Sequence, residues 1–390
     1  MAERTGLIVS LAASALYSAL LLARTGLAHR EASRQADARG RPEATALDGV
    51  AVLQPILSGD PALGEVLARA LDALPDVAFV WLVDEDDPEA LRLSSALVAD
   101  RPGRRIERIV LPPAPAGVNP KTFKLERGRG AVDADVIVVL DDDATLEAGA
   151  LAALVGALDA GALATALPWY EDAPTLAGAL LARFVDDHAA LTYLAPLALL
   201  GPVSINGMCY AMRTGTLESI GGFAPLERHL TDDLALAQAF RERGLAIVQT
   251  TAPVRMRTSL EDVAAYVRLM HRWYLFATLL LAGESVRVRV LAVVLQGLPP
   301  LLLWVAIVAP LVAPSAGAVA ALIGALLVRA TALASLHRRF TQEAPRARPV
   351  VSIVAELLQP LHLAHALAVR TVRWRRRRYR VRAADDFEPA

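Results

Sequence analysis

The sequence predicts an α/β protein with a doubly wound, Rossmann-like sheet, held in a membrane by apolar helices at both ends. Short apolar runs with strand character alternate with helical segments between residues 50 and 146. Longer apolar runs lie near the amino terminus and after Arg289. Of the 390 residues, 55% are hydrophobic, and the mean hydropathy of +0.40 is too high for an ordinary soluble enzyme.

The charge balance and the cysteine count exclude several classes of protein. Lys and Arg total 40 and Asp and Glu total 41, so the net charge of -1 gives no basic field for binding nucleic acid. One cysteine, Cys209, excludes an internal disulfide framework.

The high content of Ala and Arg suggests a bacterial source, and we expect a multi-pass protein of the inner membrane.

The first apolar run, residues 7–23, predicts a transmembrane anchor within residues 1–28. About 20 helical residues span the hydrocarbon core of a bilayer. Arginines follow this run, whereas a secretory signal peptide would carry its positive charge before it. The positive-inside rule therefore places the next domain in the cytoplasm. Residues 29–48 are polar, and we expect them to form a juxtamembrane linker.

A catalytic domain is predicted over residues 49–284. Strands are expected at residues 50–57, 77–83, 105–111 and 136–140, with helices at 62–74 and 88–99. This alternation implies a mostly parallel sheet with right-handed crossovers. The chain has no G-x-G-x-x-G after the first strand and no P-loop, so the phosphates of a nucleotide must be held in another way.

Clusters of carboxylates follow two of these strands. LDDDATL (residues 140–146) ends the fourth strand and VDEDDP (83–88) ends the second. Ligands of open α/β sheets bind at this edge. Crowded carboxylates repel one another unless a cation relieves them, and a hard divalent metal that also holds phosphates does so. The simpler interpretation is an acidic turn whose charges complement a helix dipole.

Two later segments add charged groups to the predicted site. Lys121, in GVNPKTFKL, can pair with a diphosphate as a point charge, although a solvated surface lysine is commoner. In TDDLALA (231–237), Thr231 is predicted to cap a helix that begins at Asp232. A carboxylate at such a helix start stays ionised and can take a proton from an acceptor hydroxyl.

In their order and spacing, VDEDDP, GVNPK and LDDDATL resemble the GT-A domain of inverting membrane glycosyltransferases. The resemblance is closest to ceramide glucosyltransferases and their bacterial relatives, including those of hopanoid biosynthesis. It continues through GPVSINGMCYAMR, GGF, TDDLALAQAFRERG and HRW, over most of the chain. It implies a nucleotide-sugar donor such as UDP-glucose, a membrane lipid acceptor with a hydroxyl group, and Mg²⁺ or Mn²⁺ as cofactor.

The resemblance also implies roles for individual residues. Asp84 or Asp86 would hold the nucleoside, and Asp141 with Asp143 would form the D-x-D metal site. Asp233 would be the general base. The other substrate-binding positions that the resemblance implies are Pro55, Lys121, Asn206, Gly207, Asp232, Arg272 and Trp273.

One position departs from the family's (Q/R)xxRW motif. Leu269 stands where the motif has Gln or Arg, and the adjacent Arg268 lies roughly 100° further round the helix axis. The departure puts in doubt how this segment closes over the donor.

Two alternatives for the function remain open at this stage. LDDDATL also fits D-x-D-x-T of haloacid-dehalogenase-type phosphatases, in which Asp141 would attack phosphorus and Asp143 would serve as acid and base. That family needs a later Gly-Asp-type loop, and TDDLALA lacks the Gly. The second alternative is a catalytically degenerate scaffold that binds lipid or partner proteins.

A membrane region is predicted over residues 285–370, followed by a basic cytoplasmic tail at 371–390. The runs 290–312 and 316–334 predict a transmembrane hairpin, and the arginines after it return the chain to the cytoplasm. For residues 350–369, which have arginines on both sides, we favour a re-entrant or interfacial helix over a full span. The tail is expected to meet anionic lipid headgroups.

Residues 175–200 form another apolar stretch, interrupted by charged residues. We expect an amphipathic helix at the membrane surface, and the alternative is a buried helix of the catalytic domain.

Overall fold

The structure, a computed structural model, describes residues 2–39, 47–171, 173–341, 348–374, 377–383, 385 and 387–389. The α-helices of the described residues are α1 (Ala2–Arg39), α2 (Leu63–Ala73), α3 (Pro88–Ala99), α4 (Pro120–Gly128), α5 (Ala148–Gly156), α6 (Leu176–Tyr193), α7 (Thr214–Ser219), α8 (Asp232–Glu242), α9 (Val263–Gly283), α10 (Val286–Ala292), α11 (Leu298–Val312), α12 (Ala316–Thr341), α13 (Pro349–Leu357) and α14 (Gln359–Ala368). The strands are β1 (Val50–Ile56), β2 (Ala78–Asp84), β3 (Ile106–Leu111), β4 (Val136–Leu140), β5 (Ala144–Thr145), β6 (Leu163–Tyr170), β7 (Cys209–Arg213), β8 (Ile247–Met256), β9 (Thr371–Trp374), β10 (Arg377–Val381) and β11 (Phe387–Pro389).

Strands β1 to β8 form one mixed sheet in the order β3-β2-β1-β4-β7-β6-β8-β5. The four strands expected from the sequence are parallel neighbours, which confirms the Rossmann-like prediction. Strand β7 runs antiparallel to both β4 and β6. Because β7 is reversed, the residues that precede it lie at the carboxyl end of β4, beside the predicted site.

The centre of this sheet is buried on both faces. Every residue of β1 and β4 is buried, as the continuous apolar runs predict. Helix α4 packs closely on β1 and β2 because its last residue is Gly128. A Cβ at Gly128 would lie 2.3 Å from Leu82 Cδ2 and 3.1 Å from Leu53 Cδ1. The absence of a side chain here fixes how near α4 comes to the sheet.

The segment predicted as a basic tail is folded. Strands β9, β10 and β11 form an antiparallel sheet in the order β11-β10-β9. Val372, Tyr379 and Val381 are buried, so alternate positions of the strands supply an apolar face. The many arginines hid this period of two in the sequence, and Arg375 and Arg376 lie outside the described residues.

The chain divides into two compact units. A helical unit contains Met1–Asp37, Pro174–Gly201 and Asp262–Val369, and a catalytic unit contains Ala38–Ala173, Pro202–Glu261 and Arg370–Ala390. The catalytic domain predicted over residues 49–284 also includes residues 174–201 and 262–284, which the structure places in the helical unit. Helix α1 also continues through residues 29–39 of the predicted linker, and residues 40–46 lie outside the described part of the chain.

Four helices of the described residues are long and apolar enough to cross a membrane, at Arg4–Asp37, Val286–Val312, Ala316–Thr341 and Pro349–Ala368. This agrees with the prediction of one amino-terminal and two or three carboxy-terminal membrane helices. The last of them, with a mean hydropathy of 1.4, is the least apolar. Its re-entrant or interfacial position stays a prediction.

Charged side chains inside the helical unit pair with one another. Arg329 Nε lies 2.8 Å from Glu356 Oε2, and Arg329 Nη2 lies 3.7 Å from Asp187 Oδ2. The Tyr17 hydroxyl donates to Glu356 at 3.1 Å, and the Ser352 hydroxyl donates to Asp187. All five side chains are buried. The acids that interrupt the apolar run of α6 are therefore buried inside this unit, and the expectation of an amphipathic surface helix was wrong.

Candidate active site

Lys121 joins the carboxyl end of β4 to the start of α8. Its Nζ lies 2.7 Å from Asp141 Oδ1 and 3.2 Å from Asp232 Oδ2, and it donates to the carbonyl of Gly207 at 2.8 Å. Burial opposes the positive charge, but the two carboxylates outweigh it and hold the pKa of Lys121 well above its usual value. The structure therefore brings three predicted site residues around the ammonium group of a fourth, Lys121.

The main chain of Asp141 is fixed by buried polar contacts. Its N–H donates to the carbonyl of Met208 at 2.9 Å, and its carbonyl accepts from Gln54 Nε2 at 3.1 Å. Trp81 Nε1 donates to Gln54 Oε1 at 2.9 Å, so Gln54 is fixed as well. Sequence reasoning missed Gln54, although a lone polar residue within the apolar strand VAVLQPI was a usable signal. Burial raises the pKa of Asp141 to about 6, and Lys121 limits this rise.

The three consecutive aspartates after β4 have different partners. Asp142 is buried, and its Oδ2 accepts from the N–H of Leu57 at 2.7 Å, which holds the loop after β1. Asp143 Oδ2 accepts from the Thr258 hydroxyl at 2.7 Å, and its carbonyl accepts from the N–H of Arg257 at 2.8 Å. Asp142 therefore belongs to the scaffold, and half-buried Asp141 and Asp143 remain the candidates for metal binding.

The donor set around Asp141 and Asp143 fits a hard divalent cation held in part by its substrate. Among the described residues, no group of three or more His, Cys, Asp or Glu is arranged to hold a metal ion. Mg²⁺ is commonly bound by one or two carboxylates, with substrate phosphates and water completing its shell. Two aspartates meet that requirement, and Thr258 supports one of them through its hydroxyl.

The acids after β2 also divide into different roles. Asp84 Oδ2 lies 3.0 Å from Nζ of buried Lys124, which also donates to the carbonyl of Ile56 at 2.7 Å. Asp87 caps α3, with Oδ1 accepting from the N–H of Ala90 at 3.1 Å. Burial of Asp87 opposes its ionisation, but hydrogen bonds from the Ser58 side chain and from the Ser58 and Ala90 N–H groups lower its pKa below the usual value. Asp86 is exposed.

Asp233 lies at the start of α8 in close contact with Gly207. A Cβ at Gly207 would lie 2.9 Å from Asp233 Cβ, so only glycine fits here without displacing the carboxylate. Asp233 Oδ1 accepts from the N–H of Leu234 at 2.8 Å. Burial, followed by the negative charge of Asp232, raises the pKa of Asp233 to about 7, and Lys121 acts in the opposite direction. Asp233 is thus poised to exchange a proton near neutral pH.

The capping role predicted for Thr231 is wrong. Thr231 occupies the N-cap position of α8, but its side chain makes no capping hydrogen bond. Its hydroxyl is buried and has no hydrogen-bond partner among the described residues.

The remaining predicted site residues lie in two places. Asn206 is buried, with Oδ1 accepting from the N–H of Met208 at 3.1 Å, so it shapes the turn before β7. Pro55 is buried in β1, opposite Leu82 of β2. Arg272 and Trp273 lie on α9 in the helical unit, where the Trp273 ring is 6.2 Å from that of Phe184. Leu269 and the exposed Arg268 lie on the same helix.

The model of glycosyl transferase family 21 matches residues 7–386, almost the whole chain. The chain belongs to glycosyl transferase family 21. This is the ceramide glucosyltransferase family, and it carries a GT-A-like fold. A family 21 chain is a glycosyltransferase, so the phosphatase alternative is wrong.

Solved structures give weaker likenesses to this family 21 chain. A mannosyltransferase from Pyrobaculum calidifontis, in complex with GDP-Man and Mn²⁺, is 17% identical, with 89% of this chain and 99% of that chain covered and a TM-score of 0.49. Glucosyl-3-phosphoglycerate synthase from Mycobacterium tuberculosis, in complex with Mn²⁺, UDP and glucosyl-3-phosphoglycerate, is 18% identical to this chain. The match covers 57% of this chain and 78% of that chain, with a TM-score of 0.33. No curated protein matches the chain. The assignment rests on the family match.

Proposed function

We propose that this family 21 enzyme transfers a sugar, with inversion, from a uridine diphosphate sugar such as UDP-glucose to a lipid hydroxyl. The acceptor is a ceramide-like or hopanoid lipid at the cytoplasmic face of the membrane. The observation that carries the proposal is the position of Asp233, a half-buried carboxylate with a pKa of about 7 beside the ion pairs of Lys121. The four apolar helices support a lipid acceptor.

Asp233 acts as the general base in this proposal. Inversion requires a group that takes the proton of the acceptor hydroxyl as its oxygen attacks the anomeric carbon. A base is most effective when its pKa is near the working pH, and such catalysis contributes roughly 10² to 10⁴ in rate. The nearby Asp232 is already paired with Lys121, so Asp233 is the better candidate of the two.

The second requirement of the reaction is that the nucleoside diphosphate leaves from the sugar. Asp141 and Asp143 would hold Mg²⁺ or Mn²⁺, which supplies charge neutralisation to the leaving diphosphate when bound. Lys121 provides a second, fixed positive charge at the same edge of the sheet. Asp84 or Asp86 would hold the nucleoside. Further donor contacts are proposed at Pro55, Asn206, Gly207, Asp232, Arg272 and Trp273.

The central test compares Asp233→Asn with Asp232→Asn. Asp233→Asn keeps the size and the hydrogen bond to Leu234 but cannot take a proton, so transfer should fall by roughly 10² to 10⁴ with donor KM nearly unchanged. Asp232→Asn weakens the ion pair with Lys121, so we expect mainly a higher donor KM. Release of UDP and formation of glycolipid, measured with purified protein, lipid and metal, give both constants.

A stability measurement shows whether the Asp233→Asn variant is folded. The raised pKa means that Asp233 stabilises the folded state while protonated, and that this contribution is lost as the pH rises through about 7. Asparagine cannot ionise, so the variant should melt at the same or a higher temperature than the parent at alkaline pH.

Two results would contradict the proposal. If Asp232→Asn abolishes transfer and Asp233→Asn does not, the base is Asp232. If the parent releases no nucleoside diphosphate from any nucleotide sugar with Mg²⁺ or Mn²⁺, the degenerate scaffold is the better account.

A further inference from the structure

We infer that Asn119 is a positioning residue that ties the base-bearing segment of α8 to the helix that carries Lys121. This inference rests on the proposed function, and it concerns a residue to which the sequence pattern assigned no role. Asn119 precedes Pro120 at the start of α4 and has no solvent exposure.

The oxygen and the nitrogen of the Asn119 side-chain amide make hydrogen bonds to two different segments of the chain. Oδ1 accepts from the N–H of Lys121 at 2.9 Å and so caps α4. Nδ2 donates to the carbonyls of His229 at 3.0 Å and Leu230 at 3.2 Å. The N–H of Asn119 donates to the carbonyl of Glu227 at 2.7 Å. One buried amide therefore fixes both Lys121 and the loop that leads into Asp232 and Asp233.

The start of α8 depends on this connection. Thr231 makes no capping hydrogen bond with its side chain, so the hydrogen bonds from Asn119 hold the two carbonyls just before it. Leu230 is three residues before Asp233. A shift of this segment would move the base relative to Asp141 and Lys121. Displacement of a reacting group by about 1 Å is enough to cost roughly 100-fold in rate.

The amide chemistry is specific to asparagine. The two donors of Nδ2 both meet carbonyl oxygens, and Oδ1 meets an N–H. Aspartate at this position would keep the cap on Lys121 but place a second oxygen against two carbonyls. Serine would also keep the cap, since it is a preferred N-cap residue, but it is too short to reach the carbonyls. Either change removes the side-chain link to the loop before α8 and preserves the cap on α4.

The test uses Asn119→Asp and Asn119→Ser, with Thr214→Val as the matched control. Thr214 donates a hydrogen bond from its hydroxyl to the carbonyl of Ala134, at the amino end of β4 and far from the site along that strand. Both Asn119 variants should lose roughly 10- to 100-fold in kcat while donor KM changes less than about twofold. Amide hydrogen exchange in residues 227–236 should accelerate in both. Thr214→Val should change neither kcat nor exchange in that segment.

The inference is overturned if Asn119→Ser keeps the parent kcat and exchange pattern, or if Thr214→Val loses as much kcat as the Asn119 variants. A failure of the proposed function would give a different experimental result. In that case the parent consumes no nucleotide sugar, and exchange in residues 227–236 still tests the connection.

Discussion

The carboxyl group of Asp233 links the geometry of the site to the pH at which it works. Burial and the charge of Asp232 raise its pKa to about 7, and in the proposed role of general base this carboxyl group must be ionised to accept a proton. At saturating donor and metal, kcat should therefore fall about tenfold for each pH unit below this pKa. The profile is measured over about two pH units on either side of it.

The Asp233→Asn variant is the control for this profile. The residual kcat of this variant should not fall as the pH is lowered, since asparagine does not titrate. A parent profile that is flat across this range would remove Asp233 from the role of base.

At the scale of single residues, the sequence predicted which side chains form the candidate site. It did not predict which ion pairs and hydrogen bonds each of them makes. Asp141, Lys121 and Asp232 were expected near one another, and the structure joins them through ion pairs. Asp142 is chemically identical to its neighbours in the chain, and its burial and its hydrogen bond to Leu57 identify it as structural. The role of Asn119 depends on contacts with residues 110 and 111 positions away, which no local pattern encodes.

The position of α4 decides where two lysines meet the edge of the sheet. Gly128→Ala would place a methyl group 2.3 Å from Leu82 Cδ2, so either the buried Leu82 side chain or the helix must move. Overpacking of this kind costs about 1–3 kcal/mol, so thermal stability should fall. Donor KM should rise as well, because Lys121 lies on the same helix. Thermal unfolding in detergent and steady-state kinetics measure the two effects.

Gly130→Ala is the matched control, since nothing lies within 4 Å of a Cβ at that position. Equal losses in the two variants would show that Gly128 is not a packing constraint.

At the scale of elements, strands with continuous apolar runs were predictable from the sequence. Strands in which charged residues alternate with apolar ones were not. β1, β2 and β4 followed from composition alone because both faces are buried. The antiparallel β7 needed long-range pairing with β4 and β6, which a sequence pattern does not specify. In β9 to β11, buried Val372, Tyr379 and Val381 alternate with arginines, and the charge concealed the strand period.

At the scale of the whole molecule, the small carboxy-terminal sheet bears on membrane topology. Asp385 and Phe387 line a cavity of about 240 Å³ together with Gly117 and Arg228 of the catalytic unit. Because Arg370–Ala390 belongs to the catalytic unit, it must lie on the same side of the membrane as the rest of that unit. Reporters fused after Arg41 and after Arg382 should therefore both be cytoplasmic, and one inserted at Pro314 should be periplasmic.

A periplasmic signal after Arg382 would show that residues 350–369 cross the membrane. It would also contradict the predicted interfacial or re-entrant position of that segment.

The buried ion pair between Arg329 and Glu356 has a consequence for how the chain enters the membrane during synthesis. Arg329 lies midway along α12, and an unpaired arginine at the centre of a bilayer costs about 2.5–3.5 kcal/mol on insertion scales. Asp187, whose Oδ2 lies 3.7 Å from Arg329, is made earlier, but the closer partner Glu356 is 27 residues later in the chain and leaves the ribosome after Arg329. The hairpin of α11 and α12 is therefore only partly stabilised until α13 arrives. The ion pair between Arg329 and Glu356 can therefore form only after α13 has been translated.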